Sequence, residues 1–131
     1  MDSQRTLYTS GAQWESRVGY SRAVKVGNVI EVSGTVATGE GGEVIGEGDP
    51  YLQTKYILQK IEAVLLQAGA TLHHVVRTRM FVTNISQWEE YGRAHGEVFS
   101  GINPCTTMVE VKALIAPQYL IEIEATAVLS A

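Results

Sequence analysis

The sequence is short of cysteine, of positive charge and of long apolar runs, and each shortage excludes something. Cys105 is the single cysteine among 131 residues, so no disulfide can form within the chain, and a cytoplasmic setting is expected. No apolar run approaches the ~20 residues of a membrane span, so no membrane partner is expected. The opening residues, Met1-Asp2-Ser3-Gln4-Arg5-Thr6, lack the charged-then-apolar pattern of a secretory signal. Ten Lys and Arg stand against fourteen Asp and Glu, a net charge of −4, with no basic run; nucleic acid is an unlikely partner. His73-His74 has no third ligand at metal spacing, so no metal is expected, and nothing implies a cofactor. Charged residues make up only 18%, against roughly 25% in an average domain. Such a chain has little with which to cover its surface, which points to surface buried in an oligomer.

What remains is 45% apolar, enough for one domain spanning residues 1–131. Residues 22–26 and 29–34 are β-rich runs around Gly27-Asn28, a hairpin signal with the turn type open, and residues 5–9 can add a short strand. Trp14-Glu15 reads as a loop anchored by tryptophan packing. Residues 39–49 hold five glycines among carboxylates; no Gly-Lys-Ser/Thr follows to hold phosphate, so they read as a flexible acidic connector. Asp49-Pro50 opens a helix near 50–68, with Ile57, Ile61, Val64, Leu65 and Ala68 on its apolar face and Gly69 at its end. Residues 75–82 read as a strand. Ser86-Gln87-Trp88-Glu89 fits a capping box, opening a helix with Trp88, Tyr91, His95, Val98 and Phe99 on one face. Strands over 106–111 and 120–129 close the chain. The order predicts an α+β fold with both helices on one face of a mixed sheet.

Strand alternation sorts the charges. Ile121, Ile123 and Ala125 share one face, and Glu122, Glu124 and Thr126 the other. Arg77 and Arg79 share a face with Phe81, Glu31 with Ser33, and Thr106 with Met108 and Glu110. This predicts one apolar face for the helices and one face gathering Glu31, Glu110, Glu122 and Glu124 with Arg77 and Arg79. That second face is either the solvated side of an open sheet or an oligomer interface with a cleft.

Taken together, Gly19-Tyr20, Gly27-Asn28, Val32-Ser33-Gly34, Arg77 to Val82, Pro104 to Val111 and Leu120 to Ala125 resemble the RidA/YjgF family, also called endoribonuclease L-PSP, over roughly residues 18–128. The resemblance implies a chorismate-mutase-like fold. It also implies a homotrimer with sheets inward, helices outward and one ligand cleft at each subunit boundary. In deaminating members an arginine two residues after the signature proline grips the substrate carboxylate through a rigid donor fork. Here that position is Thr106, and the cysteine often found two residues further on is Met108. The water-positioning glutamate corresponds to Glu122; Tyr20 and Gly34 are retained, with Ser33 beside Gly34. Arg79 and Arg22 are the arginines placed to line the cleft as substitutes; the alternative for Arg79 is an ion pair with Glu110 or Glu124.

Other candidates read as structural first. His95 reads as a hydrogen-bonded core or interface residue, and Cys105 as a small buried one, although the two are the obvious nucleophile–base pairing. Three functions compete. The first is a hydrolase of a small imine or enamine, with Glu122 orienting water, backbone groups near Cys105 and Thr106 holding it in a cleft that Met108 also lines, and Tyr20 capping the substrate. The second is a trimer that binds a small metabolite without turnover. The third, an RNA endonuclease, is disfavoured by the acidic charge balance and scattered cations.

Overall fold

The computed structural model describes residues 4–130. Six strands form one sheet: β1 (Arg5–Tyr8), β2 (Ala23–Val26), β3 (Val29–Thr35), β4 (Val75–Val82), β5 (Cys105–Glu110) and β6 (Ile121–Val128). A short helix α1 (Gln13–Val18) follows β1, and two longer helices, α2 (Pro50–Gln67) and α3 (Trp88–Phe99), cover one face. Strand order is β1-β2-β3-β6-β4-β5, antiparallel except for β4 beside β5. Parallel neighbours need a crossover, and α3 supplies it. β3 and β4 are likewise joined through α2, with β6 inserted between them, so the α+β mixed sheet follows a split βαβ plan.

Local chemistry explains the element ends. Gly27-Asn28 is a two-residue turn between paired Val26 and Val29, and Gly27 alone takes positive φ (61°), which decides for a type II′ turn. Asp49 caps α2 by accepting from the Leu52 amide at 3.0 Å, with Pro50 at the first helical position. Gly69 (φ 86°) ends α2: the Ala70 amide reaches the Leu65 carbonyl and the Gly69 amide that of Leu66.

The helix face of the sheet carries Ile30, Val32, Met80, Val82, Ile121, Ile123, Ala125 and Ala127, all buried against Ile57, Leu58, Ile61 and Leu65 of α2 and Tyr91 and Phe99 of α3. The opposite face is uncovered in the single chain.

Several expectations need correction. The stretch around Trp14 is a helix, and its anchor is Glu15 rather than Trp14. The Glu15 carboxylate is buried and accepts from the Ser10 amide and hydroxyl, while Trp14 stays exposed. Residues 39–49 are held by turns: Gly39 donates to the Glu43 carbonyl at 2.8 Å and Ile45 to that of Ala37 at 2.9 Å. The capping box at Ser86 does not form, because Asn84 caps a 3₁₀ turn over Ile85–Gln87 and takes the Ser86 hydroxyl; α3 starts one residue later than a Ser86 cap would set it, at Trp88, which is exposed. Cys105 is exposed, since it lies on the edge strand β5.

The largest correction concerns the face of β5. Parallel pairing sets Thr106 opposite Thr78, Met108 opposite Met80 and Glu110 opposite Val82. Paired residues share a face, so Thr106, Met108 and Glu110 lie on the helix side, away from Glu31, Glu122 and Glu124. Alternation within a strand sorts residues into two sets; only register against a neighbour says which set faces inward.

Gln53 ties two loops to α2. It is fully buried; its amide nitrogen donates to the carbonyls of Gly46 (3.2 Å) and Gln118 (2.9 Å), and its oxygen accepts from the Leu120 amide (2.9 Å). Each buried backbone group left without a partner costs about 1–3 kcal/mol. Gln53→Leu is expected to lower unfolding stability by on the order of 3 kcal/mol, read as a shift in the urea midpoint.

Candidate functional site

The site grows from an irregularity in β3. Val32 pairs with Ala125 and Thr35 with Ile123, so Ser33 and Gly34 together oppose Glu124. Two residues against one is a β-bulge, which bends the strand and re-aims its groups. The Ser33 hydroxyl donates to the Ser21 carbonyl at 2.7 Å, and Arg22 Nη2 donates to the Gly34 carbonyl at 2.6 Å. The Arg22 guanidinium also lies 5.8 Å from the centre of the Tyr20 ring, within cation–π range.

Gly34 makes room for Glu122. A Cβ at Gly34 would stand 2.9 Å from the carboxyl carbon of Glu122, so only glycine lets that carboxylate lie along the strand. Burial raises the pKa of Glu122 above its usual value; Arg22 opposes the shift and Glu124 adds to it. Lys60 of α2 donates to the carbonyls of Val36 (2.9 Å) and Thr38 (3.0 Å), and burial, with Arg22 nearby, pulls it down to about 8.

Two depressions adjoin the bulge. One of about 650 Å³ is lined by Tyr20, Ser33, Glu15, Arg5 and Leu7. The other, about 400 Å³, is lined by Gly34, Glu122, Glu124, Phe81, Val111 and Leu114. Tyr20 and Ser33 thus open on the first and Gly34 and Glu122 on the second, with Arg22 linking them through Tyr20 and Gly34. Arg79 Nη1 pairs with Glu124 Oε1 at 3.5 Å on the exposed face, an ion pair that contributes little to stability but occupies the guanidinium.

Cys105, Thr106 and Met108 line neither depression. Thr106 instead ends a hydrogen-bond chain: His95 Nε2 lies 2.8 Å from Thr78 Oγ1, and Thr78 donates to Thr106 Oγ1 at 2.7 Å. His95 packs on Phe99 with ring centres 4.6 Å apart, and burial lowers its pKa. Sequence reading missed Thr78 and Lys60. The signal was present for both: Thr78 interrupts the core-facing alternation of Met80 and Val82, and Lys60 sits three residues after Ile57 and four before Val64 on the buried side of α2.

Gly34→Ala is expected to leave the fold intact while pushing the Glu122 carboxylate toward solvent. Its titration, followed by carboxyl ¹³C NMR, starts above the ordinary glutamate value and moves down toward it in the variant. An unchanged titration would show that Gly34 does not hold the group in place.

The sequence model of the family described as Endoribonuclease L-PSP matches residues 10–129. The solved structure of Rv2704 from Mycobacterium tuberculosis, a member of the YjgF/YER057c/UK114 family, superposes with a TM-score of 0.87 at 50% identity, covering 96% of this chain and 100% of that one. A RutC family protein of Pyrococcus abyssi is 37% identical over 109 residues, 82% of this chain and 84% of its own length. The 3-aminoacrylate deaminase RutC of Acinetobacter baylyi is 31% identical over 108 residues, 82% and 85% of the two chains. With the split βαβ sheet and the signature segments in place, the chain belongs to the endoribonuclease L-PSP family, the RidA/YjgF proteins.

Proposed function

We propose that the protein is a hydrolase of small imine or enamine metabolites, acting as a cytoplasmic homotrimer with a ligand cleft at each subunit boundary. The observation that carries this reading is Glu122, a carboxylate drawn against the Gly34 bulge with its pKa raised by burial. A carboxylate with raised proton affinity is a better base toward water. The relative named for deaminating 3-aminoacrylate, itself an enamine, supports the substrate class.

In the proposed step Glu122 takes a proton from water as its oxygen attacks the imine carbon. The C=N electron pair moves to nitrogen, which receives that proton. The C–N bond then breaks as the hydroxyl proton passes to nitrogen, so ammonia leaves and a carbonyl remains. An enamine first becomes the imine by gaining a proton on carbon and losing one from nitrogen. Tyr20 caps the substrate, and Arg22 holds the bulge through the Gly34 carbonyl.

Thr106 and Glu122 lie on opposite faces of one sheet, so a cleft lined by both draws them from two copies of the chain. The uncovered face supports the trimer. It exposes Leu7, Val26, Val29 and Val109 beside its charges, and apolar sheet surface of this kind seeks a partner. Because Thr106 offers no charged fork, the standard 2-imino acid is not the substrate proposed. The same residue favours the second reading, a trimer that binds a metabolite without turnover. An endoribonuclease role is disfavoured by the net charge of −4.

Light scattering is expected to give three times the 14.3 kDa chain mass; a monomer overturns the interface. Carbonyl release from a small imine generated in situ is expected to exceed the buffer rate, and Glu122→Gln to lower it roughly 10²–10⁴-fold. The rate is expected to fall with acid as Glu122 gains its proton, on a limb placed above the ordinary glutamate value. No acceleration by the unaltered protein selects the binding reading.

A further inference from the structure

The chain His95–Thr78–Thr106 joins two buried polar groups to one exposed hydroxyl. Thr78 is 0% exposed and His95 9%, whereas Thr106 stands on the exposed edge strand. Thr78 has one hydroxyl hydrogen and gives it to Thr106 Oγ1 at 2.7 Å. The 2.8 Å contact with His95 therefore runs toward Thr78: Nε2 carries the hydrogen and donates it. The Thr106 oxygen accepts from inside the protein, so its own hydrogen is turned outward. A free threonine hydroxyl rotates among several partners; this one is oriented by the buried pair behind it.

The surroundings decide what such a donor can hold. Thr106, Met108 and Glu110 share a face, and no residue of β5 carries positive charge. A single neutral donor cannot offset the water a carboxylate ligand would lose, but it suits a neutral carbonyl oxygen, which is less strongly hydrated than a carboxylate.

We propose that Thr106 is a fixed, uncharged hydrogen-bond donor that selects ligands presenting a neutral carbonyl oxygen, as an amide or ester, over the corresponding carboxylate, and that His95 and Thr78 are its positioning residues. The inference rests on the reading of the protein as a small-metabolite site with Thr106 in its cleft.

The test uses a pair of probes alike in shape, 2-oxobutanamide and 2-oxobutanoate, titrated calorimetrically into the full-length protein. The amide is expected to bind about tenfold or more tightly than the acid. The ¹⁵N resonance of His95 Nε2 is expected to report a protonated nitrogen and to shift on adding the amide, a response that a purely structural histidine would not give. Thr106→Val and Thr78→Val are each expected to bring the two probes to within about threefold of one another. Equal or tighter binding of the acid, binding of neither probe, or a folded Thr78→Val that keeps the preference would each overturn the proposal. Should Thr78→Val fail to fold, Thr106→Val at its exposed position and the His95 resonance decide the matter. Failure of the hydrolase reading is seen separately: the protein would then prefer the amide yet accelerate no imine hydrolysis.

Discussion

The structure hangs on the two-residue period of β6, a strand flanked on both sides. Its neighbours β3 and β4 fix its register, so Ile121, Ile123, Ala125 and Ala127 must all face the helices and Glu122, Glu124 and Thr126 must all face away. Burying four apolar side chains against α2 and α3 releases their hydration water, a stabilisation a one-residue slip would forfeit entirely. The charges on the far face are a consequence of that inward demand. Once the odd-numbered residues are committed to the core, the even-numbered glutamates have one place to go.

The bulge at Ser33 and Gly34 is the point where that regularity is broken, and the candidate site lies there. An unbroken β3 would set one residue against Glu124. The extra residue frees the Gly34 carbonyl for Arg22 and leaves a gap without a Cβ, into which the Glu122 carboxylate fits. A side chain whose direction is imposed by the core thus meets a backbone distortion on the adjacent strand. Its raised pKa follows from burial at that meeting point, with Arg22 near enough to limit the shift.

A second polar system crosses from core to edge on the other side of the sheet. Thr78 occupies a position that Met80 and Val82 would lead one to fill with an apolar residue. With His95 behind it and Thr106 in front, its hydroxyl is satisfied in both directions, which is why a buried Thr–His pair is tolerated among Tyr91 and Phe99. The two systems sit on opposite faces, and this separation argues that any cleft joining them is built from more than one copy.

Much was legible in the residues alone: α2, β4 and β6, the alternation that separates Ile121 and Ile123 from Glu122 and Glu124, and the family segments from Gly19 to Ala125. These are local signals, written in spacing that one helix or one strand reads from itself. The face of Thr106, Met108 and Glu110 was not legible, because their parity has no meaning until β5 pairs with β4. Nor was the failure of Ser86 to cap α3, which depended on Asn84 competing for the same hydroxyl. Spacing along the chain was enough to say which residues alternate together and where the helices run. Which side each set faces came from packing, because register, bulges and caps are settled between segments rather than within them.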